Sequence, residues 1–296
     1  MKVWVIGRGL LGSDLVSELA ARGHVVTAPS RRDFDITNPV SVAQITALGD
    51  SDRPDWLVNC AAYTKVDQAE SDRDAAFELN AYAPGLLAQA CAMGGIRLLH
   101  LSTDFVFDGA KNEPYLETDS TGPLCAYGDS KLQGEHAVLS ASPHALVVRT
   151  AWLFGANGPC FPKSILSAWT ARKALRVVAD QVGSPTYTRH LSALLEELMK
   201  IGPPGGILHC AGPEAASWHE LAVRTLRAYA RFLGEESEEV NVEAISSSDW
   251  PTAARRPAYS VLSNEKCCAL GVPPMPPLEQ ALDEFIEDLS KRNSGD

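Results

Sequence analysis

Short apolar runs alternate with helical patterns along the first two thirds of the chain. The runs are typical of strands buried on both faces of a parallel sheet, and they lie at 3–6, 24–28, 55–60, 97–102 and 145–149. Between them, apolar residues recur at helical spacing, and the predicted helices span 13–22, 39–48, 72–93 and 130–140. This alternation predicts an α/β fold with a doubly wound parallel sheet of the Rossmann type.

The pattern loosens after Trp152 and predicts a smaller α/β lobe. Its expected strands and helices lie at 176–178, 188–201, 207–210, 217–233, 240–245 and 278–291. Ser217 followed by Glu220 predicts a capping box, and the acidic stretch 235–239 predicts a solvated loop.

The two patterns together predict a division of the chain into two parts. We expect residues 1–150, joined by about 185–213, to form a dinucleotide-binding domain. Residues 151–184 and 214–296 would form a C-terminal substrate lobe. Such a lobe would lie over the carboxyl edge of the sheet, where ligands bind in folds of this kind.

Composition and charge exclude several classes of protein. The chain has 296 residues with 26 Lys+Arg against 37 Asp+Glu, a net charge of −11 that disfavours nucleic acid as a partner. It leaves small anionic ligands open, because a pocket can be locally basic. No apolar run approaches the ~20 residues of a membrane helix, and the first residues lack a charged leader. The seven cysteines show no metal-ligand spacing, which predicts reduced thiols in a cytoplasmic protein.

A glycine-rich turn follows the first strand. Gly7, Gly9 and Gly12 match the G-x-G-x-x-G pattern, with Leu10 and Leu11 between them. In this position the pattern predicts a dinucleotide site, because the first helix would present free N–H groups to a pyrophosphate. Asp14 is expected to stabilise the turn through the helix dipole or as a cap.

Two arginines stand where an acidic ribose-binding residue is usual. Arg31 and Arg32 follow the second strand and favour a 2′-phosphate, hence NADPH, although NADH and a merely solvated loop stay open. Asp35 and Ile36 are expected to flank the adenine.

Tyr127 and Lys131 form a Y-x-x-x-K motif at the entry of a predicted helix. Four residues make about one turn, so both side chains share a face, and the lysine cation can stabilise a phenolate. The motif is common by chance, but Thr103 at the end of the fourth strand supplies a partner hydroxyl for a substrate carbonyl. The alternative to a catalytic role is that Thr103 only caps the end of the strand.

These motifs, with several longer stretches, resemble the dTDP-4-dehydrorhamnose reductase family of extended short-chain dehydrogenases/reductases. The matching stretches are 59–70, 102–109, 127–135, 149–155, 180–186 and 256–257. The resemblance implies reduction of the 4-keto group of a nucleotide-linked 6-deoxy sugar, most simply dTDP-4-dehydrorhamnose, by NADPH. It makes Tyr127 the proton donor, Lys131 its electrostatic partner and Thr103 the residue that orients the carbonyl.

The resemblance also implies the lining of the cleft. The residues expected at the cofactor are Cys60, Ala61, Ala62 and Thr64, besides those of the glycine turn, with Asn80 as a support. Those expected at the substrate are Thr64, Ser102, Thr103, Asp104, Val106, Phe107, Tyr127, Trp152 and Arg256. Trp152 would pack on the sugar and Arg256 would pair with the diphosphate.

The chain departs from the family in two respects. Its glycine turn is one residue shorter than the usual G-x-x-G-x-x-G, so the pyrophosphate contact is expected to differ in detail. Some members have a magnesium-bridged dimer; Asp14 matches one of their acidic ligands, but Arg189 stands where another is expected. We therefore predict no structural metal, and a homodimer stays open.

Other functions remain as alternatives. Phe105 after Asp104 replaces the glutamate of nucleotide-sugar dehydratases, which disfavours that activity. An epimerase or another reductase of nucleotide sugars is a further possibility. The regulatory beta subunit of methionine adenosyltransferase keeps a similar Tyr/Lys motif and is the non-catalytic alternative.

Overall fold

The computed structural model describes residues 1–235 and 240–293, and six parallel strands form its central sheet. They are β1 (Lys2–Ile6), β2 (Val25–Thr27), β3 (Trp56–Asn59), β4 (Arg97–Thr103), β5 (Leu146–Thr150) and, later in the chain, Gly206–His209. The predicted doubly wound parallel sheet is confirmed. Of the predicted acidic loop, 236–239 lies outside the described residues.

Later in the described residues, β10 joins the central sheet and six short strands form three two-stranded sheets. In chain order they are β6 (Leu153–Phe154), β7 (Arg176–Val178), β8 (Val182–Gly183), β9 (Thr186–Tyr187), β10 (Gly206–His209, the sixth strand of the sheet), β11 (Ala216–Ser217) and β12 (Glu243–Ile245). Outside the sheet they pair as β6 with β9, β7 with β12 and β8 with β11. The strand predicted over 240–245 is shorter in the structure, where only Glu243–Ile245 is extended as β12.

Residues 1–235 and 240–293 contain ten α-helices, of which the last two follow the final strand. They are α1 (Leu10–Ala21), α2 (Pro39–Ala43), α3 (Arg73–Phe77), α4 (Ala83–Gly94), α5 (Ala126–Ala141), α6 (Phe161–Thr170), α7 (Thr188–Ile201), α8 (Trp218–Leu233), α9 (Glu265–Ala269) and α10 (Leu278–Asn293). Short 3₁₀ turns lie at Gln44–Ala47, Gln68–Glu70, Asp104–Val106 and Ser247–Asp249. The predicted capping box of Ser217 and Glu220 opens α8.

The strand order places a crevice between β1 and β3. The sheet runs β10-β5-β4-β3-β1-β2, so the chain leaves β1 toward β2 and then returns to the other side of β1 as β3. Ligands of open α/β sheets bind beyond the carboxyl ends of the strands at such a reversal. The glycine turn after β1 and Cys60 after β3 both lie there. The division of the chain into two domains stays a prediction.

Apolar layers cover both faces of the sheet. On one face Val5 and Leu99 belong to a cluster that includes Leu15 of α1 and Leu195 of α7. On the other face, a cluster with Leu87 of α4 covers the strands. A separate cluster joins α6, α8 and α10 around aromatic residues, Phe154 and Phe285 among them. Within residues 1–235 and 240–293, no helix is both long and apolar enough to cross a membrane.

The helix predicted over 72–93 contains a wide turn. Residues Glu78–Tyr82 adopt a π-helical turn between α3 and α4. Pro84 explains it, because a proline has no N–H to donate to the carbonyl of Asn80, four residues earlier. The freed carbonyl faces α5, where a Cβ on Gly134 would lie 2.0 Å from the Asn80 oxygen. The wide turn thus fits α5 closely against its neighbour.

Two helices begin earlier than their sequence patterns predict. α1 begins at Leu10 rather than at residue 13, and α5 begins at Ala126 rather than at residue 130. The cause in α5 is a tertiary contact, because Glu70 Oε1 accepts a hydrogen bond from the Ala126 N–H at 2.7 Å. This carboxylate supplies the cap that Cys125, the residue before the helix, does not.

Candidate active site

The turn between β1 and α1 has the shape of a phosphate cradle. Gly7 has φ +91°, and a Cβ there would lie 2.5 Å from the backbone N of Ala61. A Cβ on Gly12 would lie 1.9 Å from the Gly7 carbonyl oxygen, so the helix and the strand approach as only glycine permits. These contacts leave no room for side chains at either position.

The mouth of this turn is open, in contrast to its base. A Cβ on Gly9 would meet no atom within 4 Å, and Gly9 precedes α1 without any side chain that caps the helix. The first N–H groups of a twelve-residue helix therefore face free space, which suits the pyrophosphate of a dinucleotide. Leu11 is buried beneath the turn and Leu10 is partly exposed. The residues present fit the cofactor that the family implies.

Arg31 and Arg32 lie exposed on a turn after β2. Arg31 Nε lies 3.5 Å from Asp35 Oδ2, a weak contact that leaves the guanidinium available. Asp35 also accepts hydrogen bonds from the Thr37 N–H and hydroxyl, which lower the pKa of its carboxyl. Ile36 is 3% exposed and its side chain packs in the core, and the expectation that Asp35 and Ile36 flank the adenine stays a prediction.

Asn80 ties the loop after β3 to the helix that carries the tyrosine. It is fully buried in the wide turn, its Oδ1 accepts from the Tyr63 N–H at 2.8 Å, and its Nδ2 donates to the Tyr63 carbonyl at 3.0 Å. Nδ2 also donates to Ser130 Oγ at 3.0 Å. Within the same loop, Cys60, Ala61 and Ala62 are partly exposed and Thr64 is exposed. Asn80 therefore fixes the wall of the crevice relative to α5.

Tyr127, Lys131 and Thr103 come together at the carboxyl end of β4. Lys131 is buried on α5 one turn after Tyr127, and its Nζ donates to the Leu101 carbonyl at 2.6 Å. The Thr103 side chain lies beside the Tyr127 hydroxyl and affects its pKa. The phenol ring also meets Phe105 edge to face, with ring centroids 5.6 Å apart. The expected trio is thus adjacent in space.

Burial governs the protonation of this trio. It lowers the pKa of Lys131 to about 8, because little solvent stabilises the cation, and the carboxylate of Glu135 opposes the shift. It raises the pKa of Tyr127 above its usual value, and the neighbouring Thr103 side chain acts in the opposite direction. Tyr127 therefore carries its proton near neutral pH, as a proton donor must.

Three residues expected at the substrate point elsewhere. Ser102 is buried and its hydroxyl donates to Glu135 Oε1 at 2.5 Å, a carboxylate of α5 one turn beyond Lys131. Val106 and Phe107 are fully buried in an apolar cluster, where Phe107 stacks on Tyr115 with centroids 4.1 Å apart. Strand alternation and core packing direct these three side chains inward, and their contact with a substrate stays a prediction.

Asp104 is also turned away from the crevice. It is 2% exposed, its Oδ1 accepts from the Thr103 hydroxyl at 3.0 Å, and its Oδ2 accepts from the Ser260 hydroxyl at 2.6 Å. Both carboxylate oxygens are thus used inside the protein. The predicted place of Asp104 at the substrate stays a prediction.

Trp152 forms one wall of the crevice and has an unusual backbone. It adopts φ +46°, a left-handed conformation that costs energy for a bulky residue. Its indole stacks on Trp218 with centroids 3.5 Å apart and an interplanar angle of 4°. Gly183 makes room for it, since a Cβ there would lie 2.4 Å from Trp152 Cε2. Close packing on both sides holds the strained conformation.

Arg256 lies in the same wall and already has an acidic partner. Its Nη2 donates to Asp67 Oδ2 at 2.8 Å. Together with Trp152, Trp218 and Phe105, whose ring meets Tyr127 edge to face, it lines a small pocket. A diphosphate at this place would share the guanidinium with Asp67 or displace it, and the pairing stays a prediction.

Asp14 does not act as expected. It lies in the second turn of α1, is 4% exposed, and accepts hydrogen bonds from Thr188 and, at 2.5 Å, from Asn157 Nδ2. The predicted dipole or capping role is wrong, because the side chain turns inward to bridge α1 and α7. Arg189 pairs with Asp288 of α10 at 2.9 Å. In the described part of the chain, no three acidic, His or Cys side chains could hold a metal together, and the absence of a structural metal stays a prediction.

Comparison with known proteins settles the family. The dTDP-4-dehydrorhamnose reductase of Mycolicibacterium smegmatis is 40% identical over 94% of this chain and 82% of its own length. A family profile described as the RmlD substrate binding domain matches residues 1–291. The chain belongs to the dTDP-4-dehydrorhamnose reductase family. The resemblance inferred from the motifs is therefore confirmed.

Two further relatives extend the comparison. A probable dTDP-4,6-dihydroxy-2-methyloxan-3-one 4-ketoreductase of Streptomyces antibioticus is 39% identical over 97% of this chain and 95% of its own length. The crystal structure of the dTDP-4-dehydrorhamnose reductase of Bacillus anthracis in complex with NADP is 34% identical, with a TM-score of 0.89 over 97% of this chain and 99% of the other. The extended short-chain dehydrogenase/reductase fold is thus shown across the chain.

In this reductase-family chain, several supporting residues carried no recognisable signal in the sequence. Glu70 caps α5, Asp67 holds Arg256, Ser260 reaches Asp104, and Trp218 stacks on Trp152. Asp67 and Glu70 stand within the motif stretch 59–70, so that stretch drew attention to them without giving them a role. Ser260 and Trp218 are isolated in sequence and become visible only in three dimensions.

Proposed function

We propose that this protein reduces the 4-keto group of a nucleotide-linked 6-deoxy sugar with NADPH, converting dTDP-4-dehydrorhamnose to dTDP-L-rhamnose. The observation that carries the proposal is the meeting of the Tyr127 and Thr103 hydroxyls beside the buried Lys131. The relatives bear the names of 4-ketoreductases, and a neighbour binds NADP. They favour catalysis over the regulatory-subunit alternative.

The residues divide the work of binding. The N-terminus of α1, opened by Gly7 and Gly9, would hold the pyrophosphate, and Arg31 with Arg32 would hold the 2′-phosphate. Trp152 would pack on the sugar. When bound, NADPH supplies the hydride that reduces the ketone carbon. These assignments to individual residues are part of the proposal.

The chain's own residues would supply the proton to the ketone oxygen and stabilise the negative charge that develops on it. Tyr127 donates its proton to the developing alkoxide, and the Lys131 cation one turn away stabilises the resulting phenolate. Thr103 donates a second hydrogen bond to the same oxygen. The seven cysteines are all free thiols, which supports a cytoplasmic location. A homodimer stays open.

The decisive experiment is an absorbance assay of the purified chain. We expect NADPH oxidation on addition of dTDP-4-dehydrorhamnose and formation of dTDP-L-rhamnose. The 4-keto substrate of the Streptomyces antibioticus relative serves as the comparison sugar, because the two relatives are almost equally similar to the chain. Tight cofactor binding without turnover of either sugar would disprove the proposed activity.

The two arginines give a prediction about cofactor choice. Replacing Arg31 or Arg32 with alanine should weaken NADPH binding by about tenfold and leave NADH binding almost unchanged, because only NADPH carries the 2′-phosphate. Dissociation constants from fluorescence titration measure both. Arg53→Ala is the control, since Arg53 is an exposed arginine paired with Asp50 on another loop. Equal losses for the two cofactors would contradict the assignment.

A further inference from the structure

The Thr103 hydroxyl has more partners than it can serve with one proton. Its Oγ1 accepts from the Phe105 N–H at 3.2 Å, lies 3.0 Å from Asp104 Oδ1, and is a neighbour of the Tyr127 hydroxyl. A hydroxyl offers one donor and two acceptor positions. The direction in which Thr103 donates must therefore be decided by its neighbours.

The ionisation state of Asp104 determines the direction in which Thr103 donates its hydrogen bond. An ionised carboxylate only accepts, so Thr103 must give its proton to Asp104 Oδ1 and can only accept from Tyr127. A protonated Asp104 reverses the bond: its O–H donates to Thr103 Oγ1, and the Thr103 proton becomes free to point into the crevice. A ketone oxygen accepts hydrogen bonds, so Thr103 can donate to it only when Asp104 is protonated.

We propose that Asp104 is a positioning residue whose proton turns the Thr103 hydroxyl toward the substrate oxygen, with Ser260 as the partner that limits how readily Asp104 holds that proton. The proposal rests on the proposed ketone reduction. It moves no atom other than hydroxyl and carboxyl hydrogens, and Tyr127 remains the proton donor. It gives a role to a buried carboxylate that the reduction itself does not use.

The surroundings of Asp104 allow both of its states. No ion pair with Asp104 occurs among residues 1–235 and 240–293, and burial raises the pKa of its carboxyl to about 6. The titratable and charged groups nearby are Tyr127 and Cys125 on or beside α5, Lys131, which donates to the Leu101 carbonyl, and Arg256, which is paired with Asp67.

The hydrogen bond from Ser260 makes the proposal testable, because its removal should shift the pKa of Asp104. Ser260 donates to Asp104 Oδ2 at 2.6 Å and is 1% exposed, so it stabilises the ionised form. Loss of this bond should raise the pKa of Asp104 by about one pH unit. The carboxyl would then stay protonated, and Thr103 would stay a donor, to higher pH.

The experiment measures binding of dTDP-4-dehydrorhamnose to the NADP⁺-loaded protein between pH 5 and 9, where no reduction occurs. In the unmodified protein we expect the dissociation constant to increase about tenfold as pH rises through the titration of Asp104, because the donor to the ketone is lost. In Asp104→Asn, whose side chain does not titrate, that pH dependence should vanish. In Ser260→Ala the inflection should move to higher pH.

The controls separate this role from a structural one and from the reductase activity. Ser263→Ala changes a hydroxyl of the same segment that faces the Glu265 N–H, and it should leave the inflection in place. A purely structural role would weaken binding equally at every pH. An unchanged inflection in Ser260→Ala, or ketone binding that is independent of pH in the unmodified protein, would overturn the proposal. Binding with the expected pH dependence but no turnover with NADPH would instead overturn only the proposed reductase activity.

Discussion

Tyr127→Phe should slow ketone reduction by about 10²–10⁴-fold, the range that a positioned proton donor contributes. The substitution removes one hydroxyl and keeps the ring, which meets Phe105 edge to face at 5.6 Å. Packing and NADPH affinity should therefore be preserved while the developing alkoxide loses its proton source. Single-turnover rates with saturating NADPH, together with a cofactor titration, measure the two quantities separately.

Tyr82→Phe is the matched control for this variant. Tyr82 is 59% exposed at the end of the wide turn, and its hydroxyl has no place in the proposed chemistry. Its rate should equal that of the unmodified protein. A Tyr127→Phe variant that reduces the ketone at the normal rate would remove this residue from the mechanism.

Glu135→Gln should lower the free energy of unfolding by about 3–5 kcal/mol, because it leaves a buried guanidinium without its counter-ion. Arg149 Nη2 lies 2.6 Å from Glu135 Oε2 and Arg149 Nε lies 2.9 Å from Oε1, and both side chains are almost fully buried. The pair connects α5 to β5 beneath the catalytic face of the helix. Urea denaturation followed by circular dichroism measures the loss.

Asp50→Asn provides the comparison. Asp50 pairs with Arg53 at 2.7 Å, but this pair is exposed to solvent, where ion pairs contribute little. Its denaturation midpoint should hardly move. If Glu135→Gln were equally harmless, the buried pair would not be what holds α5 against β5.

Local signals predicted the parts of the fold and site that depend on neighbours in sequence. The glycine turn can be recognised from the order of Gly7, Gly9 and Gly12 alone. The Tyr127–Lys131 motif can be recognised because its spacing is one helical turn. Both were visible as patterns, and the structure places them at one crevice. The apolar runs predicted the strands for the same reason, since burial on both faces leaves an unbroken apolar signature.

What depends on distant contacts could not be predicted in this way. Ser102 and Asp104 stand beside Thr103 in sequence, yet Glu135 and Ser260 draw their side chains inward. The early start of α5 likewise depends on Glu70, 56 residues before it. In the sequence, Asp14 resembles a carboxylate at the start of a helix, but in the structure its side chain is held by Thr188 and Asn157. Such partners have no local pattern, because a single hydrogen bond leaves no periodicity in the sequence.

The Asp104–Ser260 bond also has a consequence for the order in which the chain is made. The two residues are 156 positions apart, so at about 5–20 residues per second a ribosome adds Ser260 roughly 8–30 s after Asp104. All strands of the central sheet precede Ser260 in the chain. The sheet can thus assemble during synthesis while Asp104 still faces water. The partner that holds Asp104 Oδ2 is therefore made only after every strand of the central sheet, so the strand end beside Thr103 is completed later than the sheet itself.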